Sequence, residues 1–251
     1  MDLGLQGKSV VVTGGSRGIG RATALTFADE GANVAICARG SETLEATRKE
    51  IEARGVQVFA QTCDVADADA LGRFLNAARA ALGSVDVLVN NTSGFGGTDD
   101  EAGWNAGFNI DVMASVRASW KVVPWMAERG GGSIVHISST SGLEAGSPPA
   151  YAAMKAALIS HAKTLANELA PRGIRVNCVA PGSIEFPGGM WEQIKAQNPE
   201  HYEGIRSSIP FGRLGTDAEV AAAVVFIASP RASWIAGVTL AVDGVQHKGN
   251  L

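Results

Sequence analysis

The feature that most constrains this chain is an alternation running from end to end: short β-branched runs separated by longer helical stretches. Ser9–Thr13 (SVVVT), Asn33–Ala38 (NVAICA), Val56–Thr62 (VQVFAQT), Val85–Asn90 (VDVLVN), Ser133–Ser138 (SIVHIS) and Arg175–Ala180 (RVNCVA) read as strands. Their near-continuous apolar character fits strands covered on both faces, as parallel strands are. The intervening patterns predict helices over Gly18–Glu30, Ser41–Arg54, Ala68–Leu82, Ala102–Arg129 and Pro149–Pro171. A last helix is expected from Asp217 to Ala228 and a last strand over Val238–Val242. Ser41 reads as an N-cap, and Gly31 and Gly55 fall just past helix ends, where a left-handed residue is wanted. Such an order demands right-handed crossovers and gives an α/β fold class, a doubly wound parallel sheet in a single domain over residues 1–251. One stretch, Gly182–Gly215, reads as irregular, rich in Gly and Pro and carrying Phe186, Met190, Trp191 and Tyr202. It follows the carboxyl end of a strand, where α/β ligands sit, so a substrate lid is expected over 182–215.

Hydrophobic residues make up 46% of the 251 and charged ones 18%, enough to bury one large core. A net charge of −4 without a basic run argues against a nucleic-acid partner. The longest apolar stretch, Val220–Ala228, is far shorter than the ~20 residues that span a bilayer. With no secretory pattern at the start, a cytoplasmic protein with no membrane partner is expected. Cys37, Cys63 and Cys178 read as small buried hydrophobes in a reducing compartment. His136, His161, His201 and His247 lack metal-ligand spacing, and no metal is expected.

Three patterns carry chemistry. Thr13-Gly14-Gly15-Ser16-Arg17-Gly18-Ile19-Gly20 follows a strand and opens a helix. There Gly14 permits a tight turn, Gly18 lets backbone approach a pyrophosphate, and Gly20 allows close packing of helix on strand. The helix start then offers free N–H groups to phosphates. Next, the second strand ends at Arg39, where an acidic residue would bind the ribose 2′-hydroxyl of NAD. Arg39 and Arg17 suit a 2′-phosphate instead, so NADP(H) is favoured over NAD(H). Finally, Tyr151 and Lys155 stand four apart at the start of a helix and share one face. A neighbouring ammonium stabilises a phenolate, which makes a tyrosine usable as an acid or base.

Together with Asp64-Val65, Asn90-Asn91, Ser138-Ser139 and Pro181-Gly182 after successive strands, these motifs make the chain resemble the short-chain dehydrogenase/reductase family over its whole length. The overall pattern is similar to its 3-oxoacyl-carrier-protein reductases. The resemblance implies a Rossmann-type domain of about seven strands that reduces carbonyls or oxidises alcohols. It implies Tyr151 as proton donor, Lys155 at the nicotinamide ribose, and a serine on the substrate oxygen. Gly14, Ser16, Arg17, Gly18, Ile19 and Gly20 would bind cofactor along with Arg39, Asp64, Val65, Asn91, Tyr151, Lys155, Pro181, Gly182 and Ile184. Ser183 and Ile184 would edge the carboxamide.

The serine is open between two positions. Gly142 three residues on points to Ser139, whereas thirteen residues back from Tyr151 points to Ser138; Ser139 is preferred. Three departures from the family pattern stand out. Asn90-Asn91-Thr92-Ser93-Gly94 is one residue longer than usual. Asp111 falls where a catalytic asparagine is expected, with Asn109 off register. Phe186 or a neighbour replaces a threonine after Pro181-Gly182. Phe95, Glu144, Met190 and Trp191 are candidates for the pocket lining. The expected function is NADP(H)-dependent interconversion of a ketone and a secondary alcohol, with Ser139, Tyr151, Lys155 and Asp111 catalytic. The alternative is a nicotinamide-binding sensor or scaffold of the same fold that has lost catalysis. Apolar residues spread round the helix Ala102–Arg129, and small ones along Pro149–Pro171, predict an even-order homo-oligomer, a homotetramer.

Overall fold

The computed structural model describes residues 2–250. Seven parallel strands form its central sheet: β1 (Ser9–Thr13), β2 (Asn33–Ala38), β3 (Val58–Thr62), β4 (Val87–Asn90), β5 (Gly132–Ile137), β6 (Ile174–Pro181) and β9 (Thr239–Val242). Their order is β3-β2-β1-β4-β5-β6-β9, a doubly wound arrangement with its topological switch between β1 and β4. A two-stranded parallel pair, β7 (Ile184–Glu185) with β8 (Gly215–Thr216), stands apart from it. Nine α-helices complete the described residues: α1 (Gly18–Asp29), α2 (Ser41–Glu52), α3 (Ala68–Leu82), α4 (Glu101–Ala106), α5 (Ala114–Glu128), α6 (Pro149–Leu169), α7 (Met190–Gln197), α8 (Pro199–Ser208) and α9 (Asp217–Ala228).

The sheet is apolar on both faces because each face is covered. Phe27, Ile51, Val220 and Val224 from α1, α2 and α9 bury one side against Val10, Val12 and Ile36. Phe74, Leu75, Met126 and Leu169 from α3, α5 and α6 bury the other against Val11, Leu88 and Ile134. Cys37, Cys63 and Cys178 are free and buried in the second layer, as small hydrophobes are. Gly31 and Gly55 adopt φ of 77° and 76° past their helices, as expected. No described helix is long and apolar enough to cross a membrane.

Three local expectations need correction. Ser41 is the first helical residue of α2, not its cap; Gly40 takes the cap position in extended backbone and makes no side-chain cap bond. The helix expected over Ala102–Arg129 is broken in its middle by a π-helical turn, Gly107–Met113. A hydrophobic period of 3.6 cannot reveal that turn, which carries an extra residue. The stretch 182–215 is not irregular: it holds β7, α7, α8 and β8 around a small core of Tyr202, Ile209 and Leu214. Its Gly and Pro residues punctuate short elements. Pro199 opens α8, with Asn198 accepting a cap bond from the His201 N–H at 3.1 Å.

Candidate active site

Strand ends and helix starts converge at the carboxyl edge of the sheet. Gly14 turns the chain after β1 with φ of +70°. A Cβ at Gly20 would lie 2.1 Å from the Gly14 carbonyl oxygen and 2.4 Å from the Asn91 amide nitrogen, so the position admits only glycine. Asn91 braces this turn, its side-chain amide donating to the Thr13 and Gly14 carbonyls at 3.1 Å each. At Arg17, the N-cap of α1, no side chain caps the helix, so its first N–H groups stay free for an anion. Phe186 closes over Gly18: a Cβ there would meet its ring at 2.6 Å. The turn therefore fits a dinucleotide's phosphates, provided the Phe186 ring moves aside.

Arg17 and Arg39 are both exposed, and neither makes an ion pair among the described residues. Asp64 is exposed, its carboxylate accepting from the Ala66 N–H at 3.0 Å, and Val65 beside it is buried. Past β6, the Ser183 N–H donates to Gln246 Oε1 at 2.8 Å, and a Cβ on Gly182 would strike that oxygen at 2.7 Å. Pro181 and Ile184 are buried on either side. Nothing local in the sequence signals this tie, because Gln246 lies 63 residues away.

At the centre, α6 places Tyr151 and Lys155 one turn apart, with Pro149 in the first turn. Lys155 is 2% exposed and Asp111 1%. The Lys155 Nζ lies 2.8 Å from Asp111 Oδ1, donates to the Ile137 carbonyl at 3.1 Å and stands 5.5 Å from the centre of the Tyr151 ring. Burial alone would push this ammonium down; the Asp111 carboxylate and Tyr151 outweigh it and hold it above the ordinary lysine value. The Asp111 carboxylate also accepts from Ser93 Oγ and the Gly94 N–H, each at 2.7 Å. The loop after β4 thus supplies two donors to this carboxylate. Asn109 is left out: its amide bonds to the Asn105 carbonyl, while Asp111 in the same π-turn is buried.

The two serines separate by what their hydroxyls do. Ser138 Oγ donates to the Lys155 carbonyl at 2.8 Å and ties β5 to α6. Ser139 Oγ only accepts, from the Ser141 N–H at 3.1 Å, which leaves its proton for another acceptor. Behind them runs a buried polar chain that the sequence did not announce. The Asn90 amide donates to His136 Nδ1 at 3.1 Å, which puts the imidazole proton on Nε2, aimed at His161 Nδ1 3.2 Å away. Burial, then His161 and Lys155, hold His136 down at about 3. Of the candidate lining residues, Met190 is exposed, Glu144 accepts from the Lys248 N–H, and Trp191 packs against the small core of Tyr202, Ile209 and Leu214. The described residues contain no cluster that could hold a metal ion.

A family described as enoyl-(acyl carrier protein) reductase matches residues 14–245. Isoepoxydon dehydrogenase of Penicillium expansum is 37% identical over 98% of this chain and 97% of its own. The 3-oxoacyl-[acyl-carrier-protein] reductase of Thermotoga maritima is 39% identical over 96% and 98%. This chain is a short-chain dehydrogenase/reductase. Solved members share its fold throughout. L-Sorbose reductase of Gluconobacter frateurii, complexed with NADPH and L-sorbose, superposes with a TM-score of 0.91 at 34% identity over 100% of both chains. A 7α-hydroxysteroid dehydrogenase complexed with NADH and a 7-oxo bile acid also gives 0.91, at 32% identity over 99% and 98%. This short-chain dehydrogenase/reductase is accordingly an oxidoreductase built on a Rossmann-type sheet.

Proposed function

We propose that this oxidoreductase interconverts a ketone and a secondary alcohol, with NADP(H) as its preferred cofactor and Tyr151 as general acid and base. The observation that carries this reading is the buried chain Asp111–Lys155 beside Tyr151. A buried ion pair stabilises folding weakly at best, so a function for its ammonium explains its presence better than architecture does. In reduction the Tyr151 hydroxyl gives its proton to the substrate oxygen; in oxidation it takes that proton back. Lys155 holds positive charge beside the phenol, and Asp111 holds Lys155. The Ser139 hydroxyl donates to the substrate oxygen and fixes its position, while Ser138 keeps α6 against β5. When bound, the nicotinamide exchanges a hydride with the substrate carbon. Gly14–Gly20 would hold its phosphates, Asp64 and Val65 its adenine, and Pro181–Ile184 its carboxamide end, with 182–215 as the substrate lid.

Tyr151→Phe is expected to abolish turnover while leaving nicotinamide affinity within about twofold, because only the proton-transferring oxygen is lost. Measurable turnover by that variant overturns the mechanism, and cofactor binding without any turnover by the parent protein favours a sensor. Arg17 and Arg39, exposed and unpaired among the described residues, support the 2′-phosphate. Dissociation constants should favour NADPH over NADH, and Arg39→Asp should erase the preference. Equal constants in the parent protein count against NADP(H). We place the protein in the cytoplasm, where buried free thiols persist, and infer a homotetramer.

A further inference from the structure

Phe95 has a backbone conformation rare for a residue with a large side chain. Its φ of 43° lies in the left-handed region, shared among described non-glycine residues only with Val245. A bulky side chain there is strained and persists only where its surroundings hold it. They do. The Phe95 N–H donates to Ser93 Oγ at 3.3 Å, and that hydroxyl in turn donates to Asp111. On either side, a Cβ at Gly94 would meet the Ala106 carbonyl oxygen at 2.6 Å, and one at Gly96 the Gly103 oxygen at 2.7 Å. The loop after β4 is thus pressed against α4 and clamped to the Asp111–Lys155 pair. What this holds in place is an aromatic ring parallel to that of Tyr151, 6° between planes and 6.0 Å between centres. Yet Phe95 remains 57% exposed, so burial in the monomer does not compensate the strain.

We propose that Phe95 is a specificity-determining residue: its ring, stacked parallel to that of Tyr151, forms an apolar shelf for ketones whose carbonyl is in, or attached to, a flat ring. This rests on the reaction proposed above. A substrate oxygen at the Tyr151 hydroxyl brings the atoms next to the carbonyl alongside the Phe95 ring. A planar ring covers that surface and gains offset stacking, whereas a straight chain covers little of it. Ser93 is a positioning residue for the shelf, acting through its bonds to Phe95 and Asp111.

The test compares kcat/KM for aryl and cycloalkyl ketones with that for straight-chain ketones of equal carbon number. In Phe95→Ala and Phe95→Gly the ring ketones should lose about tenfold, mainly through KM, while the chain ketones change less than twofold. Glycine accepts the left-handed backbone, so Phe95→Gly keeps the loop and its melting temperature should not fall. Phe95→Tyr should retain the ring preference, and Ser93→Ala should lose part of it. Equal losses for both ketone classes, or no loss for ring ketones, overturn the shelf while leaving the general reaction standing. Absence of turnover of either class by the parent protein, with either nicotinamide cofactor, overturns both.

Discussion

At the residue scale, the site is built from polar groups taken out of water and held by specific partners. Lys155 keeps its charge 2% exposed because Asp111 and the Ile137 carbonyl surround it. Lys155→Ala should lose both turnover and part of the nicotinamide affinity, measured by single-turnover kinetics and titration, since in the proposed reaction one ammonium would serve both. His136 shows the opposite treatment: it is buried neutral, with its folded value near 3 against an unfolded value of about 6.5. The unfolded chain therefore binds the proton first as pH falls. Stability from this histidine is full above about pH 6.5 and drains at about 1.4 kcal/mol per pH unit toward pH 3. His161, also lowered by burial, adds to the same direction. Urea denaturation should show the parent about 2 kcal/mol less stable at pH 5 than at pH 7 from His136 alone. His136→Gln should flatten that dependence, and an unchanged slope would exclude His136 as its source.

At the element scale, the glycine turn, the π-turn and the stretch after β6 decide what the strand ends can do. Phe186, on the segment leaving β7, lies across Gly18 where phosphates would approach. Opening that cover opposes cofactor binding. Phe186→Thr should therefore lower the dinucleotide's dissociation constant by about three- to tenfold, read by fluorescence titration. A weaker complex would mean that the ring supports the cofactor rather than shielding the turn. The π-turn has a comparable role. Within it Asp111 faces Lys155, while the Asn109 amide bonds back to the Asn105 carbonyl.

At the scale of the whole molecule, two apolar faces are left open. Trp104, Phe108 and Trp120 (64% exposed) lie along α4, the π-turn and α5. Phe226, Trp234 (99% exposed), Val238 and Leu240 lie around α9 and the edge strand β9. Exposed tryptophans in two separate patches, one beside an open sheet edge, suit two kinds of two-fold contact. Part of the small-residue stripe expected on α6 goes elsewhere, since Ala162 and Ala166 are buried in the core. Light scattering should give about four times the chain's 25.9 kDa. Trp120→Glu and Trp234→Glu should each yield dimers, and the double variant monomers. A monomeric parent would show that neither face is an interface.

By itself the sequence determined the parts that rest on local periodicity and on contiguous motifs. Seven parallel strands, the glycine turn of Gly14–Gly20, and Tyr151 with Lys155 on one helix face are all short-range patterns, and each was legible. Only the tertiary structure decided what depends on groups distant along the chain. The pairing of Asp111 with Lys155, the clamp from Ser93 and Gly94, the histidine chain from Asn90, and the Gln246 tie to Ser183 each join segments 17 or more residues apart. Ser138 and Ser139 are adjacent and chemically identical, so their roles separate only through the partner each hydroxyl meets in space. A polar side chain's role is set by its neighbours in low dielectric, and those neighbours are chosen by packing rather than by spacing along the chain.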